Sequence, residues 1–245
     1  MALKNSKKYK VYSDDRDSNI LYTDEEVSNF AKVESYKVVR TNIMFSLPKS
    51  EEGKVIAITS SVPKEGKTTM SINLAITFAQ TGSRVVLVDC DLRKPRVHRY
   101  LKHELGDGVS NIVCGYAELE NCICKNVRGG LDIITSGAIP PNPVEILTSD
   151  EFKKMIDTLK QTYDYIFLDT PPVSVVTDAV VVSEICSGMV VVAKADYSTF
   201  DMVDYTLESL NKVNAKILGF ILTNTYGKGK GYKYDRYKYE YYKSE

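Results

Sequence analysis

The sequence predicts an α/β domain built on one mainly parallel β-sheet flanked by helices, and three observations carry that expectation. From Lys54 onward, short apolar runs alternate with segments of helical length, the rhythm of strand–helix–strand units. The runs Val85–Val88 and Ile166–Leu168 are apolar at every position, as strands are when helices cover both faces of a sheet. Both runs end in aspartate, Asp89 and Asp169, and in open parallel sheets ligands bind in the crevice beyond the strand C-termini.

Taken in order, residues 1–23 are polar, lysine-rich and aperiodic, which reads as a flexible arm. A helix is expected from the capping-box spacing Thr23–Glu26 through Val27, Phe30, Ala31, Val38, Ile43 and Phe45 to Pro48, with Lys32 the point where it could be interrupted. Strands are expected at Val55–Thr59, Arg84–Asp89, Leu131–Thr135, Tyr165–Asp169, Met189–Ala193 and Ile217–Asn224. Helices fit Thr68–Gln80, Ser149–Thr162, Thr177–Cys186 and Thr199–Val213, several opening on capping residues. The domain therefore spans 24–224. After Asn224 the chain turns to glycine, lysine and tyrosine with almost no aliphatic residues, so 225–245 reads as a flexible tail.

Composition narrows the function class. At 245 residues with 43% hydrophobic content, one large domain with its own core is expected. Thirty-two basic residues balance thirty-two acidic ones, which argues against a globally basic nucleic-acid binder. The first residues are charged and polar where an export signal needs an apolar stretch, and no apolar run approaches the ~20 residues of a membrane span. Five scattered cysteines lack paired metal-binding spacing, as suits a reducing cytosol. A cytoplasmic protein is expected, with any membrane association borrowed from a partner.

Three motifs carry chemistry. Ser61-Val62-Pro63-Lys64-Glu65-Gly66-Lys67-Thr68-Thr69 lies between an apolar strand and an amphipathic helix. Consecutive backbone N–H groups and the helix N-terminus there can cradle phosphates, Lys67 can reach the β- and γ-oxygens, and the Thr68 hydroxyl can bind Mg2+. Ser61 stands where the usual P-loop pattern has its first glycine. In the second motif, Asp89, Asp91 and Arg93 put two carboxylates and a guanidinium just past a buried strand. Crowded carboxylates repel one another, and Mg2+–nucleotide is a natural counterpart, although a surface turn with an internal salt bridge fits the spacing too. Asp169, followed by Thr170-Pro171-Pro172, adds a third strand-end carboxylate. Together they point to one nucleotide–magnesium site.

This set resembles the bacterial tyrosine kinases of capsule and exopolysaccharide systems, and the resemblance covers roughly residues 25–245. The family loop S-x-x-P-x-E-G-K-[ST] is matched by Ser60, Pro63, Glu65, Gly66, Lys67 and Thr68; its D-x-D-x-R by Asp89, Asp91 and Arg93; its D-x-x-P by Asp169 and Pro172. The resemblance implies a P-loop NTPase fold of the deviant, partitioning-ATPase-like kind, with ATP and Mg2+ as cofactors. Lys67, Asp89, Asp91 and Asp169 would be catalytic, with Thr68 and the three aspartates around the metal. Residues 61–69 and Arg93 would bind nucleotide. Glu34, Lys37 and Arg40 stand in the family's self-association motif E-x-x-R-x-x-R, with Lys37 replacing an arginine, and imply a homo-oligomeric ring, an octamer. Tyr226, Tyr232, Tyr234, Tyr237, Tyr239, Tyr241 and Tyr242 would be the autophosphorylated cluster. Further implied partners are a transmembrane polysaccharide co-polymerase-type activator, which would recruit the kinase to the inner face of the membrane, and a cognate tyrosine phosphatase.

Two other readings remain open from the sequence. A partitioning-type ATPase shares the fold, but its signature lysine would occupy the Ser61 position and it has no need of a tyrosine-rich tail. A non-catalytic, nucleotide-gated scaffold would have its tyrosines phosphorylated by another enzyme.

Overall fold

A computed structural model of the protein describes residues 30–49 and 51–225. In chain order the elements are α1 (Phe30–Ser46), β1 (Lys54–Ser60), α2 (Lys67–Ala79), β2 (Val85–Asp89), α3 (Val97–Tyr100), α4 (Val109–Val113), α5 (Leu119–Cys122), β3 (Ile123–Arg128) and β4 (Leu131–Ile134). There follow α6 (Pro143–Thr148), α7 (Asp150–Thr162), β5 (Tyr165–Asp169), α8 (Asp178–Val182), a 3-10 turn (Ser183–Ile185), β6 (Gly188–Lys194), α9 (Phe200–Asn211) and β7 (Ile217–Thr223). The strands form one sheet in the order β3-β4-β2-β5-β1-β6-β7. Every pairing is parallel except β3 with β4.

The all-apolar strands are explained by two cores, one on each face. Val55, Ala57, Val86, Val88, Ile166, Leu168 and Val191 pack with Phe152, Ile156 and Leu159 of α7, Val182 of α8 and Leu210 of α9. The alternate residues, among them Ile56, Ile58, Leu87, Phe167 and Val192, pack with Ile72, Ile76 and Phe78 of α2 and with Tyr36 and Ile43 of α1. Phe78 stands edge-on to Tyr165 and Phe167 at ring-centroid distances of 4.7 and 5.1 Å. Ser149 caps α7 by accepting the Phe152 N–H. Among the described residues no helix is long and apolar enough to cross a membrane.

Several expectations need correction. The first helix is continuous from Phe30 to Ser46, with no break at Lys32. Its fastening to α2 explains this: Asn73 donates to the Tyr36 hydroxyl at 2.7 Å and Arg40 donates to the Thr77 carbonyl at 2.8 Å. Strand β3 was not expected at all. It lies at the edge of the sheet, partly exposed, with Lys125 and Asn126 facing solvent, so it needs no apolar run. Helix α6, with Pro143 at its first turn, was also unforeseen. The capping box at Thr23–Glu26, the arm and the tail tyrosines from Tyr226 on lie outside the described residues.

Candidate active site

The sheet order brings the motifs together. β1, β2 and β5 occupy its centre, with β5 between the other two, so the P-loop and both strand-end aspartates emerge side by side. Asp89 and Asp169 are direct register partners. After β1 the chain turns through residues 61–66 into α2. Gly66, at φ 92°, is the N-cap of α2, a left-handed conformation that suits glycine.

Asp169 is the hub. It is fully buried, and it accepts from Lys67 Nζ at 3.0 Å, Ser71 Oγ at 2.9 Å and Thr68 Oγ1 at 2.8 Å. Lys67 Nζ also lies 3.5 Å from Asp91 Oδ2. Burial pulls the Lys67 pKa down, but the Asp169 and Asp91 carboxylates outweigh it and raise it above the ordinary lysine value. The ammonium therefore stays charged. Thr170 and Thr59 fix the exit of β5, donating to the carbonyls of Ile58 and Pro171, each at 2.9 Å. Val173 and Ser174 N–H groups then bond the carbonyls of Ser60 and Ser61. The Asp169–Pro172 segment is thereby tied to the root of the P-loop.

Asp89 is engaged differently. Its Oδ1 accepts the Asp91 N–H at 3.2 Å and its Oδ2 the N–H groups of Arg96 and Val97, each at 3.1 Å. It folds the loop after β2. Burial, with Asp169 beside it, pushes the Asp89 carboxyl up to about 8. Asp91 is also raised, by burial first, with Lys67 opposing; its Oδ1 accepts the Lys94 N–H at 3.1 Å. A stability prediction follows for Asp89. The folded carboxyl holds a proton that the unfolded chain gives up near pH ~4, so stability falls as pH rises from about 4 to about 8. Asp89→Asn keeps an acceptor for the backbone donors and should flatten that slope, which urea midpoints at pH 5, 6.5 and 8 would check.

Arg93 finds its counterpart in an unforeseen residue. Its Nε and Nη2 grip Asp178 Oδ2 and Oδ1 at 3.0 Å each, a two-pronged pair on a fully buried carboxylate. Glu65, in the middle of the P-loop, is buried, while Pro63 and Lys64 beside it are exposed and Val62 and Thr69 are half-buried. On α1, Glu34 and Lys37 pair with each other at 2.6 Å, whereas Arg40 is turned to α2.

Sequence reasoning missed Ser71, Asp178 and the partners of Glu65. Ser71 had a signal, since it stands one helical turn past Lys67 and shares its face.

The donor set fits a magnesium–nucleotide complex. Thr68 Oγ1 and the carboxylates offer hard oxygens, and Lys67 supplies a held cation. The buried Ser61 Oγ at the loop entrance has no hydrogen-bond partner, so it has spare capacity for a phosphate oxygen. Among the described residues no group of three or more His, Cys, Asp or Glu side chains converges as a metal cage.

Comparison with known proteins gives a consistent result. Residues 53–218 match the AAA domain family. The tyrosine-protein kinase CpsD of Streptococcus agalactiae is 36% identical over 201 residues, 81% of this chain and 86% of that protein. The tyrosine-protein kinase wzc of Salmonella typhimurium is 33% identical over 210 residues, 85% of this chain, yet the chain spans only 29% of its length. The kinase domain of the Escherichia coli tyrosine kinase ETK superposes with a TM-score of 0.74 at 31% identity, covering 80% of each chain. With its P-loop, its two aspartate motifs and these relatives in agreement, the chain belongs to the bacterial tyrosine-protein kinase family.

Proposed function

We propose that this chain, a tyrosine-protein kinase by family, transfers the γ-phosphoryl group of ATP to tyrosines of its own C-terminal segment, acting in trans within a ring of copies. The observation that carries the proposal is the buried cluster in which Asp169 gathers Lys67, Thr68 and Ser71 beside Asp91. Phosphoryl transfer asks a protein chiefly for position and charge neutralisation. Lys67 holds the β- and γ-oxygens, the backbone of residues 61–66 with the start of α2 wraps the phosphates, and the Ser61 hydroxyl takes a phosphate oxygen. Thr68 and Asp169, with Asp91 or Asp89, would hold Mg2+, which supplies charge neutralisation on the phosphates when bound. Asp89 accepts three backbone N–H groups and Asp91 only that of Lys94, so Asp91 is the better placed to receive the proton of the incoming tyrosine hydroxyl. Arg93, anchored by Asp178, would bind nucleotide.

Tyr226, Tyr232, Tyr234, Tyr237, Tyr239, Tyr241 and Tyr242 are the proposed acceptors, and tethering in a ring supplies them at high local concentration. Glu34, Lys37 and Arg40 would serve that ring. Each phosphotyrosine adds about −1.5 to −2 charges, so heavy modification opens it by repulsion. A membrane-embedded activator would recruit the kinase from the cytoplasm, a phosphatase would reset it, and the cycle would regulate polysaccharide synthesis or export.

Purified full-length chain with γ-labelled ATP and Mg2+ tests the reading. Label on tail tyrosines is the expected result. Release of inorganic phosphate alone would make the chain an ATPase, and neither product would make it a nucleotide-gated scaffold.

A further inference from the structure

The P-loop carries a carboxylate that the phosphoryl chemistry does not use. Glu65 is only 1% exposed, and glutamate is seldom buried unless paired. Its Oε2 accepts the Val62 N–H at 2.8 Å, closing the loop on itself. Its Oε1 accepts the hydroxyl of Ser198, in the connection between β6 and α9. Ser198 Oγ in turn accepts the Lys194 N–H at 2.7 Å, at the end of β6. The Glu65 carbonyl accepts the Thr223 hydroxyl at 2.8 Å, from the last residue of β7. Thr223 O then takes the Ala195 N–H at 2.9 Å. One residue thus fastens the phosphate loop to the ends of two strands that give nothing to the Lys67–Asp169 cluster.

We infer that Glu65, with Ser198 and Thr223, is a positioning latch that holds the P-loop in its nucleotide-accepting shape. A loose carboxylate on a loop that gathers an anion would repel it. Spending that charge on a backbone N–H and a serine O–H removes the repulsion and turns it into strong hydrogen bonds. The neighbours need such a hold. Lys64 and Gly66 sit at φ 70° and 92°, and the left-handed conformation at Lys64 persists only where the surroundings enforce it. A loop shaped in advance spares the ligand the cost of ordering it, so loss of the latch weakens binding more than it slows transfer. Thr223 is also where the chain leaves the sheet toward the tyrosine-rich segment, so the latch fixes the starting point of that segment relative to the phosphates.

The inference rests on the nucleotide-binding half of the proposed function, and its test separates the two. Titration calorimetry of the full chain with Mg·ADP should give a Kd about tenfold weaker for Glu65→Ala and about threefold weaker for Ser198→Ala. The double variant should be weaker than Glu65→Ala by less than the roughly threefold of Ser198→Ala alone, because the two changes share the Glu65–Ser198 bond. Glu65→Gln, which can still accept the Val62 N–H and donate to Ser198 Oγ, should recover to within about threefold. In tail labelling, the KM for ATP should rise in the same order while kcat moves less than about twofold. A Glu65→Ala Kd within about twofold of the parent, or a double variant showing the full product of the single effects, overturns the latch. Should Glu65→Ala not fold, Ser198→Ala and Thr223→Val decide it, and unchanged Kd values in both overturn it. A parent that binds Mg·ADP but never labels its tail removes the kinase reading and leaves the affinity series to judge the latch.

Discussion

Lys67→Met should abolish ATP-dependent tyrosine labelling, with a loss of about 1,000-fold or more. The ammonium is the cation held at the centre of the cluster, and in a buried site a fixed charge aimed at developing phosphate charge is worth far more than in water. Methionine keeps the length of the stem and removes only that charge, so packing is largely preserved. The substitution has a second effect. Without the ammonium, Asp91 and Asp89 lose the cation that opposes their burial, and they will hold protons to a higher pH. The variant should therefore lose more stability at pH 8 than at pH 6. Urea unfolding at both values checks this, and labelling at the lower one compares folded proteins. A variant that labels its tail at even a tenth of the parental rate would remove Lys67 from the chemistry.

Asp169→Ala should be the most destabilising single change in the site, at about 3–5 kcal/mol. Three donors lose their acceptor together: Lys67, Thr68 and Ser71. Lys67 is left with the 3.5 Å contact to Asp91, the Thr68 hydroxyl loses its acceptor in a buried pocket, and Ser71 falls back on the Lys67 carbonyl at 3.1 Å. Asp169→Asn separates charge from packing. It keeps the volume and one acceptor oxygen, so its cost should be smaller. Because Asp169 is one cause of the raised Asp89 carboxyl, the same variant should bring Asp89 down and move the pH dependence of stability toward the acid side. Chemical denaturation of both variants across pH gives the two numbers. An Asp169→Ala midpoint indistinguishable from the parent would show that the cluster does not hold this corner of the sheet.

Much of this was legible in the sequence, for a physical reason. A strand covered on both faces must be apolar throughout, so β1, β2, β5 and β6 announce themselves, and the Gly66-Lys67-Thr68 turn is local chemistry confined to neighbouring residues. What stayed hidden depends on partners distant in sequence or on solvent. β3 has one neighbour and an exposed face, so Lys125 and Asn126 mask it. Nothing local to Arg93 points to Asp178, which is 85 residues away. The role of Glu65 depends on Ser198, 133 residues downstream. From the motif alone it looks like a loop residue beside the nucleotide.

The place of β5 between β1 and β2 has a consequence for biosynthesis. The strand that completes the centre of the sheet is made after some eighty further residues have followed β2, so the pocket depends on a late, long-range insertion. A nascent chain still short of Asp169 carries the whole glycine–lysine turn and yet lacks the acidic hub that fixes Lys67, Thr68 and Ser71. The buried cluster can therefore close only once Asp169 has been made.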